Sequence, residues 1–259
     1  MEVIIVFFIA HWYLSLFFQT FFLHRYASHA AFSMSPVTEK IFFVLTWLFQ
    51  GSNYLSPYGY GVMHRMHHAY ADTPDDPHSP KYDESIFKMM WKTKTIYSDI
   101  ACGKSTPDKR FTDGVPKWEA FDKFARSWPS RLLWGAIYFM VYWQFATVWW
   151  IWLLLPIQWM FSPIHGAIIN WFAHKYGYRN FKVGDTSRNF LPVDFLMMGE
   201  SYHNNHHKYG SRANFGGIRW HEIDPTFQVI RFLNWIGVIH VKKEVQMKYD
   251  TEAKKKIAA

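Results

Sequence analysis

Residues 132–173 form a run of 42 without a single Lys, Arg, Asp or Glu. A run of that length fits two membrane crossings of about 20 residues, joined by a tight turn, better than one very long helix. Trp143, Trp149, Trp150 and Trp152 lie at its midpoint, as expected of an interfacial aromatic belt. The turn is therefore expected near Ala146 and Thr147. Residues 2–23 form a second block free of Lys and Arg, long enough to cross a hydrocarbon core of roughly 30 Å. Met1-Glu2 offers no basic n-region, the block is longer than a signal core and no small-residue cleavage site follows, so it reads as a retained helix.

The apolar stretch at 41–60 is interrupted by Gln50, Gly51, Ser52, Asn53 and Pro57. If it crossed the bilayer once, the histidines on its two sides would lie on opposite faces and could not share a site. Its expected place is therefore interfacial or re-entrant. All 28 Lys and Arg residues fall between Arg25 and Arg131 or after His174. The positive-inside rule puts that side in the cytoplasm. The net charge of +8 fits attraction to anionic headgroups, with Lys254, Lys255 and Lys256 as a solvated tail touching that surface. Basic residues are spread among acidic ones and no recognition module appears, so nucleic acid is not an expected partner.

The 14 histidines are grouped: His24 and His29, then His64, His67 and His68, then His203, His206 and His207. A lone Cys102 excludes an internal disulfide and any multi-cysteine zinc or iron–sulfur site. Imidazole chemistry remains, suited to iron, zinc, copper or nickel. In a helix, His64 and His68 project from one face and can reach one ion while His67 points toward another. His203, His206 and His207 repeat that spacing. The five-residue step from His24 to His29 is about 140° on an ideal helix, so this pair converges only if the helix loosens where it leaves the bilayer. Two ions sharing eight or nine histidines is the simplest account. His174 is the ninth candidate, with Asn170 one turn earlier and able to hydrogen-bond a metal-bound water.

The other histidines have blander expected roles. His11, mid-span, is expected to hydrogen-bond within the protein. His165, about 180° from His174, is expected to face away from the site. His78 is expected to serve loop structure or ligand support, and His221 and His240 to lie at the surface. Asp72, Asp75, Asp76 and Glu200 are candidates to orient imidazole N–H groups, with helix or turn capping at least an equal reading for Asp75 and Asp76. Arg25 and Arg65 are expected to contact a headgroup or a carboxylate.

These strings, His24-Arg25-Tyr26-Ala27-Ser28-His29, His64-Arg65-Met66-His67-His68 with Asp76-Pro77-His78, Asn170-Trp171-Phe172-Ala173-His174 and Gly199-Glu200-Ser201-Tyr202-His203-Asn204-Asn205-His206-His207, resemble the membrane fatty acyl desaturases of the stearoyl-CoA desaturase-like family. Trp220-His221-Glu222-Ile223-Asp224-Pro225-Thr226 resembles its bacterial branch. The resemblance implies a di-iron enzyme that uses O2 and two electrons to place a cis double bond in a saturated acyl chain. It assigns one iron to His24, His29, His64, His68 and His206, and the other to His67, His174, His203 and His207, with Asn170 holding a water. Zinc in place of iron in overexpressed material is consistent with the same ligands.

The implied substrate is an acyl thioester or acyl lipid among membrane lipids. Electrons are expected from a separate ferredoxin or a small haem protein with its reductase. An earlier helix and a fused haem domain of larger members are not expected here. The expected fold is a single all-α integral membrane domain over 1–259, with membrane helices at 2–23, 131–148 and 150–173. A cytoplasmic helical cap comprises 64–130 and 174–259, with the active site facing the cytoplasm at a bacterial inner membrane. A saturated chain has no polar handle, so a long apolar tunnel must select the carbon pair. A membrane hydroxylase, or a metal- or haem-binding membrane protein without acyl chemistry, are the competing readings. Histidine clusters at helix exits rather than across paired spans disfavour the latter.

Overall fold

A computed structural model describes residues 1–242 of the chain, so the lysine tail at Lys254, Lys255 and Lys256 lies outside the described residues. Helix α1 runs over Glu2–Ser28, and its last ten residues, Gln19–Ser28, adopt the wider π-helical turn. It therefore continues past the expected end at residue 23. Strand β1 (Phe32–Met34) follows, then α2 (Pro36–Gln50) and α3 (Pro57–Tyr70). Both helices start in the same way. The Ser35 and Ser56 hydroxyls accept from the backbone N–H three residues on, and proline takes the first helical position, where a missing N–H costs nothing.

Helix α2 packs back along α1. Phe42 and Phe43 meet Phe22, Phe49 stacks on Phe18, and the chain reaches the level of His11 before it turns. That turn needs Gly51, whose φ is +57° and whose missing Cβ leaves room for the Tyr138 hydroxyl. α3 then returns to the level of His24, so the 36–70 segment is a helical hairpin lying part-way down α1. Gly51→Ala combines a disallowed backbone with a clash, and is expected to destabilise the fold by at least about 3 kcal/mol. A loss of the monodisperse peak on brief heating in detergent would show it; wild-type behaviour would mean the turn can relax.

Helix α4 (Ile86–Ala101) covers one side of α3, and α5 (Trp128–Phe145) follows two short helical turns. The break after α5 falls at residues 146–148, with Ala146 extended at ψ 117°. In place of one continuous helix over 150–173 there are two, α6 (Trp149–Gln158) and α7 (Phe161–Phe172), bent by 68°. Pro163 explains the break: it lacks an N–H and sits in the first turn of α7, where the helix restarts, while Pro156 lies where the 3-10 opening of α6 at Trp149–Leu153 gives way to α-helix. Among the described residues, α1 alone is long and apolar enough to cross a membrane, with the α6–α7 pair a second if it counts as one bent span. Outward-facing apolar side chains run along these helices, including Val6 and Ile9 of α1 and Leu132, Met140 and Trp143 of α5. The Met1 amine donates to Phe145 O at 3.2 Å, which joins the start of α1 to the end of α5, far from the histidines.

The remainder is α8 (His203–Lys208), α9 (Pro225–Trp235) and β2 (Ile239–Val241). The described residues are mostly helical, as expected, with one small addition: β2 pairs antiparallel with β1, Phe32 opposite Val241 and Met34 opposite Ile239. α9 stops at Trp235, and Gly237 at φ +75° turns the chain into the strand. His240 is exposed, and half-buried His221 donates through Nδ1 to the Pro192 carbonyl, 2.6 Å away. His11 is buried and bonded, to Gln158 through Nδ1 at 2.9 Å and to the Tyr138 hydroxyl through Nε2 at 3.2 Å.

Candidate metal centre

The end of α1 brings the first pair of histidines together. In the π-helical turn, the His29 N–H donates to His24 O five residues back, at 3.3 Å. This wider turn closes the angle that an ideal helix leaves open, and the ring centroids lie 5.1 Å apart. α3 and α8 then divide their histidines alike. His64 and His68 face one group and His67 the other; His203 and His207 share a group and His206 faces the opposite one.

The nitrogen donors of His24, His29, His64, His68 and His206 all lie within 4.8 Å of one another, as do those of His67, His174, His203 and His207. All nine side chains are buried. Within the first group, His68 Nε2 is 3.0 Å from His64 Nε2 and 2.8 Å from His206 Nε2, and His64 Nε2 is 2.9 Å from His29 Nε2. In the second, His203 and His174 are 3.0 Å apart and His67 and His207 3.3 Å, again between Nε2 atoms.

The outward nitrogens show what can sit between the inward ones. His24 Nδ1 meets Glu200 at 2.6 Å, His67 Nδ1 meets Asp76 at 2.9 Å, and His207 Nδ1 meets Asp185 at 3.0 Å. A carboxylate only accepts, so each Nδ1 carries the proton and each Nε2 turns its lone pair inward. His67 and His207 then present facing lone pairs, which repel unless a cation lies between them. Two ligands about 2.1 Å from a shared ion and at right angles to one another are roughly 3.0 Å apart. The spacing and the tautomers both fit metal ions, one to each group.

Electrostatics favours the same state. Burial first, and then the neighbouring imidazoles, hold His29, His64, His68, His203 and His206 well below the ordinary histidine value, which keeps them neutral. Neutral imidazole is the ligand form. Burial pulls His67 down as well, but Asp76, with help from Asp185 and Asp72, outweighs it and raises the group, favouring positive charge at that point. Burial opposes ionisation of Glu200, yet His24 and Arg25 hold its carboxyl below the usual range.

Arg25, completely buried, ties this shell to the protein. It bonds Asp224 at 2.7 Å, Glu200 at 3.3 Å and the Ala213 carbonyl at 2.9 Å, and its guanidinium lies 3.8 Å over the Phe215 ring. Thr20 bridges Arg25 and Glu200. Arg65 donates to the carbonyls of Ala27, Ser28, Phe111 and Asp113 and fastens α3 to the end of α1. Asp72 has φ +59° and accepts from Ser79 Oγ and Thr186 N–H.

A cavity of about 50 Å³ lies against both histidine groups, lined by His24, His64 and His203 and by Tyr60, Ile169 and Asn170. His165 lines it too, contrary to its expected outward direction. The π-turn over Ile168–Phe172 lies between His165 and His174 and resets the phase on which the 180° separation rested. His78 also lines the cavity, its ring 4.2 Å from that of His67. Sequence reasoning missed Asp185 and Thr186, which hold His207 and His174. They lie in an irregular loop whose spacing carries no periodic signal.

Comparison with known proteins agrees with this geometry. The family model for fatty acid desaturases matches residues 2–232. The "Delta-9 desaturase-like 4 protein" of Arabidopsis thaliana is 30% identical over 227 residues, covering 85% of this chain and 69% of that protein. The "Delta-9 acyl-lipid desaturase 2" of the same plant is 29% identical, over 90% of this chain and 71% of that protein. The "sn-1 stearoyl-lipid 9-desaturase" of Synechocystis sp. is 30% identical, over 83% of this chain and 64% of its own length. The chain belongs to the fatty acid desaturase family.

Proposed function

We propose that this oxidoreductase introduces a cis double bond at position 9 of a saturated, lipid-linked acyl chain, using two iron ions, O2 and two external electrons. The observation that carries this reading is the pair of buried imidazole groups with inward lone pairs, backed by carboxylates and opening on a cavity lined in part by Leu16, Met63 and Ile169. Bound iron supplies the redox change that activates O2. His24, His29, His64, His68 and His206 hold one ion; His67, His174, His203 and His207 hold the other. Asn170, at the cavity wall, holds a water beside the second ion. Glu200, Asp76 and Asp185 fix the proton on the outer nitrogen of their imidazoles, which keeps the ligands oriented while charge at the centre changes. Leu16, Met63, Ile169 and Met197 supply the apolar part of the wall, against which the acyl chain packs.

The proposed setting is a bacterial inner membrane with the histidines on the cytoplasmic side, supported by the placement of every Lys and Arg outside the apolar blocks. α1, α5 and the bent α6–α7 pair serve as three crossings, the 36–70 hairpin is re-entrant, and 64–130 with the segment after His174 forms the cap. A separate ferredoxin, or a small haem protein with its reductase, delivers the electrons.

The test is mass-spectrometric lipid profiling of cells expressing wild type and a His67→Ala/His203→Ala variant, with iron content measured on the purified proteins. Monounsaturated chains are expected with wild type alone, and about two irons per wild-type chain against a deficit in the variant. Products heavier by one oxygen would replace this reading with hydroxylation. Equal iron in both proteins would overturn the ligand assignment.

A further inference from the structure

Among the described residues, nothing covers Phe87 and Trp91 on the outer face of α4. Its inner face packs Met89, Thr93 and Ile100 into the molecule, and Ser85 caps its start. Phe87 and Trp91, one turn apart, point outward at 84% and 69% exposure. Basic side chains flank them: Lys88 is exposed on the same turn, and the Lys94 amine lies 4.7 Å over the Trp91 ring. Large aromatics with lysines on one helical face are the pattern of a helix seated in a membrane interface, rings among acyl chains and amines at phosphates.

The position of α4 gives this face a purpose. Its Met90 meets Gly166 of α7: a side-chain carbon at 166 would have Met90 Cε at 3.8 Å and Asn170 Nδ2 at 4.0 Å as its nearest neighbours. Gly166 is itself a wall residue of the cavity against the histidines. The seam between α4 and α7 thus has lipid-seeking aromatics on one side and the proposed reaction chamber immediately behind it. Met90 stands at this seam, and methionine is the most adaptable apolar side chain.

We infer that the Met90–Gly166 seam is a lateral opening through which the acyl chain of a bilayer phospholipid reaches the metal centre, with Phe87 and Trp91 standing in the lipid and Lys88 and Lys94 at anionic headgroup phosphate. The inference rests on the proposed desaturase reading and deepens it: the substrate arrives already in the membrane, instead of as a soluble thioester. A lysine-bearing face suits a phosphate headgroup beside the seam, and the exposed rings of Phe87 and Trp91 offer apolar surface to the chain as it approaches.

Two measurements test it. The single Cys102 is exposed, so a Cys102→Ser background permits spin labels at Phe87→Cys, Trp91→Cys and, as a water-facing control, Lys104→Cys. In vesicles of phosphatidylcholine and phosphatidylglycerol, labels at 87 and 91 are expected to collide with O2 more than with a polar nickel chelate, and the label at 104 the reverse. Labels at 87 and 91 as open to nickel as that at 104 would overturn the inference without any turnover being measured. In the same vesicles, the iron-loaded enzyme with its donor system is given one acyl chain either as phospholipid or as acyl-CoA. Phospholipid is expected to be the substrate, and Gly166→Leu, which fills the seam, is expected to slow it by about tenfold or more with iron content unchanged. Desaturation of acyl-CoA alone, or an unimpeded Gly166→Leu, would sink the lateral route and leave the desaturase reading standing. No desaturation of either substrate would sink both.

Discussion

Asp185→Asn is expected to lower affinity for the second metal ion by about 10–100-fold, so that purified protein carries nearer one ion than two. Asp185 holds two partners: one carboxylate oxygen accepts from Ser187 N–H at 2.9 Å and the other faces His207 Nδ1 at 3.0 Å. An amide that keeps its oxygen on Ser187 must turn its NH2 toward His207. Two donors cannot face each other, so His207 moves its proton to Nε2 and points a hydrogen, not a lone pair, into the site. Metal analysis together with lipid profiling measures the outcome. Two ions per chain with undiminished activity would show that the loop, and not the charge, orients His207. His206 and its group have no part in this contact, so the first ion should be retained.

The second large effect is on stability. Arg25→Leu leaves Asp224 and Glu200 buried without their shared cation, a change expected to cost about 3–5 kcal/mol. Thermal unfolding of the detergent-solubilised protein reads it. The deficit should also depend on pH. Burial already raises Asp224 above the usual carboxylate range even with Arg25 beside it, and removing the cation raises it further. A raised folded-state value means stability that is present at low pH and lost as pH rises through it. Arg25→Leu should therefore lie closer to wild type in mild acid than at neutral pH. An equal gap at both would mean that water, not a proton, compensates the carboxylate.

What the sequence made legible is what has a period or a composition. The 64, 67, 68 and 203, 206, 207 spacings place their histidines because helical geometry is regular, and the loosening needed between His24 and His29 appears as a π-helical turn. The same irregularity was invisible between His165 and His174, where nothing in the residues announced a second π-turn and a 3.6-residue phase pointed His165 the wrong way. Pro156 and Pro163 were in plain view, yet the uniform apolarity of 150–173 hid a bend of 68°. Asp185 could not be found because it approaches His207 across a loop, a tertiary contact with no local signature. β1 and β2, three residues each and some 200 apart in the chain, are likewise too short and too distant to read.

The two histidine groups differ in when their parts exist. Of the first five, His24, His29, His64 and His68 come from the opening 68 residues of the chain, and His206 alone is late. Of the second four, His67 is early, while His174, His203 and His207 follow more than 100 residues later. During synthesis, which releases the N-terminal part first, a nascent chain holds most of one coordination shell and a single member of the other. Under the proposed assignment, the two ions are thus acquired in a fixed order. A chain interrupted before α8 strands the first ion in an incomplete shell, so the step that delivers metal must either wait for the C-terminal third or tolerate loss.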